Sequence, residues 1–244
     1  MILTFTDFGR EGPYLGQLEL VLHRLAPNVP VVHLMADAPR FRPRSAAYLL
    51  AALAHDAPDG TVFLCVVDPD VGARDPVIVR AGAYWFVGPD NGLLEIVAAR
   101  ADNPVWWQID WRPEARNLSA GFHGRDLYAP VAARLALGQA PEAAGGVAVE
   151  RVPVDWPPDL SEIIYIDGFG NAATGIRGSR LATAATLAVG GHRLAKAASY
   201  RAVAPREPFW YVNSDGLVEI AAGRASAAQT LGLHVGDATV LQGD

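Results

Sequence analysis

Hydrophobic residues in the first half of the chain follow two alternating periods. Continuous apolar runs at residues 2–6, 31–34 and 61–67 have the length and β-branched content of buried strands. Strands that alternate with helices predict a parallel sheet flanked by helices. The helices are indicated by apolar residues at helical spacing after the first two runs: Leu15, Leu18, Leu22 and Leu25, then Ala46, Leu49, Leu50 and Leu53.

Further elements continue this α/β pattern. Residues 77–80 and 84–87 are separated by a glycine-containing turn, which predicts a hairpin at the edge of the sheet. A helix from about residue 91 to 99, a tryptophan-rich strand over 105–109 and a helix from about 125 to 137 follow. This half of the chain is therefore predicted to form a Rossmann-like α/β domain.

The second half of the chain has a different pattern of hydrophobic and turn-forming residues. Residues 1–140 form the predicted α/β domain, and 141–160, rich in proline and glycine, form the predicted linker. Residues 161–244 contain short strand candidates between glycine-rich turns, which predicts a smaller β-rich domain. These candidates are residues 162–166, 186–189, 210–212 and 217–221.

Composition narrows the class of protein. Hydrophobic residues make up 51% of the chain and charged residues 19%, a balance typical of a globular protein with a substantial core. The net charge of -6 provides no basic stripe for a phosphate backbone, so no nucleic-acid partner is expected. The N-terminus does not resemble a signal peptide, and no uncharged apolar run approaches the roughly 20 residues that span a bilayer. The sequence predicts a soluble, cytoplasmic protein with no membrane association, and its single cysteine, Cys65, fits a reducing compartment.

Two aspartates follow predicted strands. Asp7 comes after the first strand and Asp68 after the third, so both are expected at the carboxyl edge of the parallel sheet. Open α/β sheets bind ligands at that edge. Each aspartate could instead cap a helix or shape a turn, and for one isolated aspartate that interpretation would be favoured. Two on the same edge favour a site.

A histidine between glycines is a second candidate. His123 lies in the segment 121–126, directly before a predicted helix whose N-terminus favours anionic groups. A lone loop histidine is more often simply solvated. No pair of histidines has metal-ligand spacing, and one cysteine argues against a structural zinc, so no metal site is expected.

Two loops of the second domain carry polar groups. Residues 166–171 place Asp167, Phe169 and Asn171 on a glycine-flexible loop, a set suited to gripping a polar heterocycle. The same residues could form an unremarkable turn. Residues 213–216 are either a plain hairpin turn, which is the favoured interpretation, or a corner that binds a carboxylate.

Several short motifs, each weak alone, occur in a specific joint order and spacing across nearly the whole chain. They resemble the S-adenosylmethionine hydroxide adenosyltransferase family, which is related to the fluorinase and chlorinase enzymes. The motifs are Thr6-Asp7-Phe8-Gly9, Val66-Val67-Asp68-Pro69, Gly88-Pro89-Asp90-Asn91-Gly92-Leu93, Phe122-His123-Gly124-Arg125-Asp126, Ile166-Asp167, Phe169-Gly170-Asn171 and Asn213-Ser214.

The resemblance implies an N-terminal α/β domain, a smaller C-terminal β-barrel-like domain, and a homotrimer whose active sites lie between neighbouring subunits. In the hydrolysing branch of the family an aspartate, an arginine and a histidine prepare water, and these match Asp68, Arg74 and His123. Arg74 stands one position before the usual arginine. Gly12 stands where the family commonly has an aspartate.

Substrate-binding positions carry over in the same way. Asp7 resembles the acid that grips the ribose hydroxyls, and Asp167 resembles the partner of the methionine ammonium. The remaining matches are the aromatic walls Phe41, Phe122, Phe169 and Tyr200, the adenine contact Asn171, and the methionine-carboxylate contact Ser214.

The implied reaction is hydrolysis of S-adenosyl-L-methionine to adenosine and L-methionine, by attack of water at the ribose C5′ without a metal or organic cofactor. Two alternatives stay open: a sensor that binds S-adenosylmethionine or adenosine without turnover, and a halogenase. Halogenating members lack the aspartate and histidine found here as Asp68 and His123. They also carry extra residues between the strands that correspond to 77–80 and 84–87.

Overall fold

A computed structural model describes residues 1–113, 118–152, 154–181 and 186–242. The chain forms two compact units. The N-terminal unit comprises Met1–Leu50 and Asp56–Asp155, and the C-terminal unit comprises Ala51–His55 and Trp156–Asp244. Across the described residues, no helix is long and apolar enough to cross a membrane.

The N-terminal unit is built on one seven-stranded sheet. Its strands are β1 (Ile2–Thr6), β2 (Val31–Met35), β3 (Val62–Val66), β4 (Pro76–Ala81), β5 (Tyr84–Pro89), β6 (Val105–Ile109) and β7 (Gly146–Val149). Their order is β2-β1-β3-β5-β4-β6-β7. The first four strands in this order pair in parallel, and the other three join antiparallel. The predicted parallel, Rossmann-like arrangement is confirmed for that first part of the sheet.

Helices connect these strands. They are α1 (Tyr14–Leu25), α2 (Pro43–Leu53), α3 (Glu95–Ala99) and α4 (Ala129–Ala136), and a π-helical turn over Gly124–Tyr128 leads into α4. α1 buries Leu18 and Leu22 against the core, as its spacing predicts. α3 begins later than the predicted residue 91 because Asn91 accepts a hydrogen bond from the Leu93 N–H and shapes a turn there.

The β4–β5 hairpin lies inside the sheet, so its predicted edge position is wrong. β5 pairs with β3 on one side, and β4 pairs with β6 on the other. Both strands are largely buried, as expected for strands with a neighbour on each side.

Part of the stretch 141–160, predicted as a linker, is strand β7 of the first sheet. β7 pairs antiparallel with β6, with Ile109 opposite Gly146. A β-carbon at Gly146 would lie 2.9 Å from Cβ of Trp107. The glycine that suggests a flexible linker is therefore required by close packing within a strand.

The C-terminal unit contains two antiparallel sheets. Its strands are β8 (Leu160–Ile166), β9 (Ala172–Arg177), β10 (Thr186–Val189), β11 (His192–Leu194), β12 (Pro208–Val212), β13 (Leu217–Ala222) and β14 (Thr239–Gln242), with one short helix, α5 (Ala227–Leu231). The sheet orders are β12-β13-β9-β8 and β11-β10-β14.

Isolated bridges join the edges of these two sheets. Glu162 of β8 bridges Ala238 beside β14, and Lys196 beyond β11 bridges Trp210 of β12. Each edge strand of one sheet thus meets an edge strand of the other, which gives the predicted barrel-like character. Trp210 is fully buried in the core that the two sheets share.

Gly88 of β5 has no room for a side chain, because a β-carbon there would lie 2.3 Å from the carbonyl oxygen of Cys65. We expect Gly88→Ala to push β5 from β3 and to lower the free energy of unfolding by about 1–3 kcal/mol. Chemical denaturation measures this loss. Gly16→Ala is the control, because a β-carbon at this position in α1 meets nothing within 4 Å and alanine favours helix. Equal stability of both variants would contradict the packing described.

Candidate functional site

The parallel strands β1 and β3 are direct neighbours, so the residues that follow them meet at one edge of the sheet. Asp7 follows β1, and its backbone N–H donates to the carbonyl of Val66 at 3.4 Å. Asp68 follows β3 two residues after its end. The neighbours β2 and β3 lie on opposite sides of β1, which makes this edge a topological switch point of the kind where α/β sheets bind ligands. The predicted position of both aspartates at the carboxyl edge of the parallel sheet is confirmed.

Both carboxylates are half-buried, and burial raises the pKa of each above the ordinary aspartate range. The negative charge of Asp68 raises the pKa of Asp7 further, while Arg40 lowers it. For Asp68, His123 opposes the rise in pKa and Asp70 adds to it. Asp68 and His123 therefore lie within electrostatic reach of each other.

Asp68 is held by groups from two loops. The backbone N–H of Asp70 donates to Oδ1 of Asp68 at 3.3 Å, and the nearby side chain of Asn91 lowers the pKa of Asp68. Asn91 in turn donates from Nδ2 to the carbonyl of Val67 at 2.9 Å. The family motif 88–93 thus contributes Asn91 to the surroundings of Asp68, a role that the sequence does not indicate.

His123 lies at the entrance to the π-helical turn over Gly124–Tyr128. Such turns are frequent at functional sites. A β-carbon at Gly124 would lie 3.1 Å from Cζ of Phe8, and one at Gly72 would lie 3.1 Å from Cε1 of His123. Gly72 therefore lets its loop pack against the imidazole, which is confined rather than simply solvated, and Gly124 lets Phe8 pack against the start of the turn.

An aromatic cluster lies beside this histidine. Phe122 is only 8% exposed, and its ring centroid lies 5.5 Å from that of Phe8 and 5.2 Å from that of Tyr14, both edge-on. Phe122, predicted as an aromatic wall, is a packed member of this cluster. Arg125 continues the layer, with its guanidinium carbon 5.2 Å from the Phe122 centroid and an ion pair to Asp126.

Phe41 approaches Asp7 through its backbone. Its N–H donates to Oδ2 of Asp7 at 3.4 Å, and its φ of 59° is a left-handed conformation that a phenylalanine adopts at a cost. The side chain is 73% exposed. An exposed ring on a strained backbone next to a half-buried carboxylate fits its predicted role as one wall of a binding site.

Arg74 is the third residue predicted to prepare the water. It is exposed in the turn before β4. Within the described part of the chain, no hydrogen bond or ion pair joins Arg74 to either residue.

In the C-terminal unit, Asp167 organises the loop between β8 and β9. Its Oδ1 accepts from the backbone N–H groups of Phe169 and Asn171 at 2.9 and 2.8 Å, and its Oδ2 accepts from Nδ2 of Asn171 at 2.9 Å. A carboxylate offers about four acceptor positions. One direction thus stays available for a further donor.

This loop borders a cavity of about 600 Å³, and three of the predicted substrate-binding residues line it: Phe169, Asn171 and Tyr200. Phe169 is 83% exposed. The sequence did not indicate two other lining residues, Arg224 and Ser226. Arg224 has a φ of 53°, a left-handed conformation that the neighbouring sequence does not predict.

Ser214 is exposed on the turn between β12 and β13. Asn213 shapes this turn, because its Oδ1 accepts from the backbone N–H groups of Asp215 and Leu217, each at 3.0 Å. The preference for a hairpin turn at 213–216 is confirmed, and the turn presents the Ser214 hydroxyl outward.

The pKa is raised at Asp68 and lowered at Asp126, so replacing these two aspartates should change the stability of the fold in opposite directions. A raised pKa means that the folded state binds the proton more tightly than the unfolded state, so ionised Asp68 destabilises the fold at neutral pH. We expect Asp68→Asn to raise the thermal unfolding midpoint at neutral pH by roughly 1–3 °C, allowing for solvent screening. This gain should disappear as the pH falls below the pKa of an unfolded aspartate.

Asp126 is the matched control. Despite its burial, Arg125 and the Ser119 N–H hold its pKa below the ordinary range, so its ionised form stabilises the fold. Asp126→Asn should lower the midpoint at neutral pH, and the loss should vanish on acidification. Shifts of the same sign for the two variants would contradict these environments.

Comparison with known proteins identifies the family. Residues 2–145 match the family model of the SAM hydroxide adenosyltransferase N-terminal domain, and residues 161–240 match that of the C-terminal domain. An (R)-S-adenosyl-L-methionine hydrolase from Thermus thermophilus is 37% identical over 249 residues, covering 95% of this chain and 95% of that protein. A hydrolase of the same name from Salinispora tropica is 38% identical, covering 95% of this chain and 94% of that protein.

Solved structures agree with this assignment. The crystal structure of an uncharacterized conserved protein from Thermotoga maritima has a TM-score of 0.87 and 29% identity, and covers 99% of both chains. That of a conserved hypothetical protein from Thermus thermophilus has a TM-score of 0.78 and 34% identity, again over 99% of both chains. The two family models together account for most of both units. The chain belongs to the SAM hydroxide adenosyltransferase family.

Proposed function

We propose that this protein hydrolyses S-adenosyl-L-methionine to adenosine and L-methionine, and that it acts on the (R) sulfonium epimer named in its curated relatives. The observation that carries the proposal is the half-buried Asp68 within electrostatic reach of His123, at the switch point that also holds Asp7. This arrangement supplies a base and a polar anchor at one sheet edge.

The chemistry requires placement of water rather than activation of a leaving group. The water oxygen forms a bond to C5′ as the C5′–S bond breaks, and the bonding electron pair leaves on sulfur as a neutral thioether. In-line attack needs the oxygen about 3–3.5 Å from the carbon. Asp68 and His123 hold this water, and its proton passes to His123 directly or through Asp68.

The environment at this sheet edge attracts the cationic substrate and strengthens the base. Asp7, Asp68 and Asp70 lie near one another and attract a cationic sulfonium. Burial raises the pKa of Asp68 and thereby makes its carboxylate a stronger base. Attack by a hydroxide-like oxygen on a cation neutralises charge, so exclusion of bulk water accelerates the step.

The remaining predicted residues are assigned to the substrate. Asp7 binds the ribose hydroxyls, and the cavity beside Phe169, Asn171 and Tyr200 receives the adenine. Asp167 binds the methionine ammonium and Ser214 the carboxylate. Phe41 and Phe122 contribute aromatic surface, and Arg74 stabilises developing hydroxide character once substrate is bound.

We further propose where the enzyme works, what it binds and how it assembles. It works in the cytoplasm without a metal or organic cofactor, and it binds neither nucleic acid nor membrane. It assembles as a homotrimer in which the N-terminal unit of one subunit completes its site against the C-terminal unit of the next. The exposed aromatic rings of Phe41 and Phe169 support such an assembly, since large exposed apolar groups often mark interfaces.

A chromatographic assay with each sulfonium epimer tests the reaction. We expect adenosine and methionine in equal amounts from the (R) epimer, unchanged by chelator, chloride or fluoride. A halogenated nucleoside would show a halogenase, and binding without products would show a sensor. Loss of activity with chelator would contradict the metal-free mechanism.

Alanine variants of Asp68 and His123 test their roles in placing and deprotonating the water. We expect Asp68→Ala and His123→Ala to lower kcat by about 10²–10⁴-fold, because both remove proton transfer or water placement. The dissociation constant for adenosine should change little. His23→Ala is the control, since this exposed histidine of α1 pairs with Glu19 at 3.5 Å, away from the site. Parallel loss of adenosine binding in the first two variants would contradict their assigned role.

Mixing two inactive variants tests the trimer. Asp68→Ala disables the N-terminal unit and Asn171→Ala the C-terminal unit, so a site shared between subunits regains both intact halves in mixed trimers. With random assembly, about a quarter of the sites should be intact, and activity should recover to that level. Co-expressed, co-purified variants are the sample. No recovery in a confirmed mixed trimer would contradict sites shared between subunits.

A further inference from the structure

A buried carboxylate lies on β13, an interior strand of the four-stranded sheet of the C-terminal unit. Glu219 of β13 is 8% exposed and sits directly across from Tyr211 of β12. Its Oε1 accepts from the Tyr211 hydroxyl at 2.5 Å, and its Oε2 accepts from Nδ2 of Asn213 at 2.8 Å. Each oxygen thus holds a different side chain.

One branch of this network leads to the cavity. The Tyr211 hydroxyl lies 3.2 Å from that of Tyr200, which lines the cavity, and the two ring centroids are 5.6 Å apart. Phe209 packs edge-on against Tyr200 with centroids 5.4 Å apart. Burial raises the pKa of Tyr200, and the hydrogen bond with Tyr211 opposes that rise. The branch therefore runs from Glu219 through Tyr211 to the cavity residue Tyr200.

The other branch leads to the turn that carries Ser214. Nδ2 of Asn213 is held by Glu219, while its Oδ1 accepts from the backbone N–H groups of Asp215 and Leu217. Gly216 completes the turn with a φ of 76°. The orientation of the Asn213 amide, and with it the turn, depends on the carboxylate.

Burial of a carboxylate between neutral donors is costly for stability, and apolar residues would fill the same strand position at lower cost. Glu219 is therefore better explained by the geometry that it imposes than by a gain in folding energy. Since it accepts two hydrogen bonds in fixed directions, it orients groups on opposite sides of its own side chain.

We propose that Glu219 is a positioning residue for substrate binding, which sets the cavity wall through Tyr211 and Tyr200 and the Ser214 turn through Asn213. The inference rests on the proposed function, in which the cavity receives adenine and Ser214 binds the methionine carboxylate. One buried group thereby fixes the spacing between the two ends of the substrate pocket.

The test is isothermal titration of the purified full-length protein with adenosine and with methionine, beside steady-state kinetics. Glu219→Gln should weaken both ligands by about tenfold, the effect of losing a hydrogen bond to a charged group. KM should rise by a similar factor while kcat stays within about twofold. Tyr211→Phe breaks only the cavity branch, so it should weaken adenosine and leave methionine unchanged.

Glu207→Gln is the matched control. This exposed carboxylate of the same unit accepts from the Ala204 N–H at 2.7 Å, and its replacement should leave both dissociation constants unchanged. A lower unfolding midpoint for Glu219→Gln with unchanged dissociation constants would show a merely structural role and overturn the proposal.

The two proposals can fail separately. If the wild-type protein turns over S-adenosylmethionine but Glu219→Gln binds both ligands normally, the positioning role fails and the hydrolase stands. If the wild-type protein binds adenosine without turnover and Glu219→Gln weakens that binding, the hydrolase fails and the positioning role stands. If the wild-type protein neither binds these ligands nor turns over S-adenosylmethionine, both are overturned.

Discussion

The parallel pairing of β1 with β3 is the constraint on which the N-terminal site depends. It brings Asp7 and Asp68 to one sheet edge. On the other side of β3, the missing side chain of Gly88 lets β5 lie against it. Burial then raises the pKa of both aspartates, and the charge of a neighbouring aspartate adds to each rise, Asp68 for Asp7 and Asp70 for Asp68. This costs stability at neutral pH, and the same environment makes Asp68 a better base, as is common where activity and stability compete.

Most of the fold could be predicted because hydrophobic period and turn chemistry agree along the chain. β9 escaped prediction because its alanine and glycine residues are typical of neither period, and Gly175 is needed where a β-carbon would lie 2.6 Å from Cβ of Leu160. β7 was hidden for a similar reason at Gly146. Local sequence indicates flexibility at such glycines, while the actual cause is a tertiary contact. The interior place of the β4–β5 hairpin likewise depends on pairing with distant β6.

Only some residues of the site could be predicted from the sequence. Asp7 and Asp68 follow from their places after strands, and His123 from its glycine neighbours and the family motifs. Asn91, Arg224 and Glu219 could not be found in this way, because their roles depend on partners brought by folding: Asp68, the cavity and Tyr211. A single carboxylate within the otherwise apolar run 217–222 was the one available signal for Glu219. In both units, a carboxylate with a few directed hydrogen bonds orders the polar groups around it.

The central claim is that water, placed by Asp68 and His123, attacks C5′ of the substrate. Turnover in ¹⁸O-labelled water, followed by mass spectrometry of both products, tests it most directly. The account predicts one ¹⁸O atom in the 5′-hydroxyl of adenosine and none in methionine. Adenosine without the label, or label recovered in the amino-acid product, would contradict it.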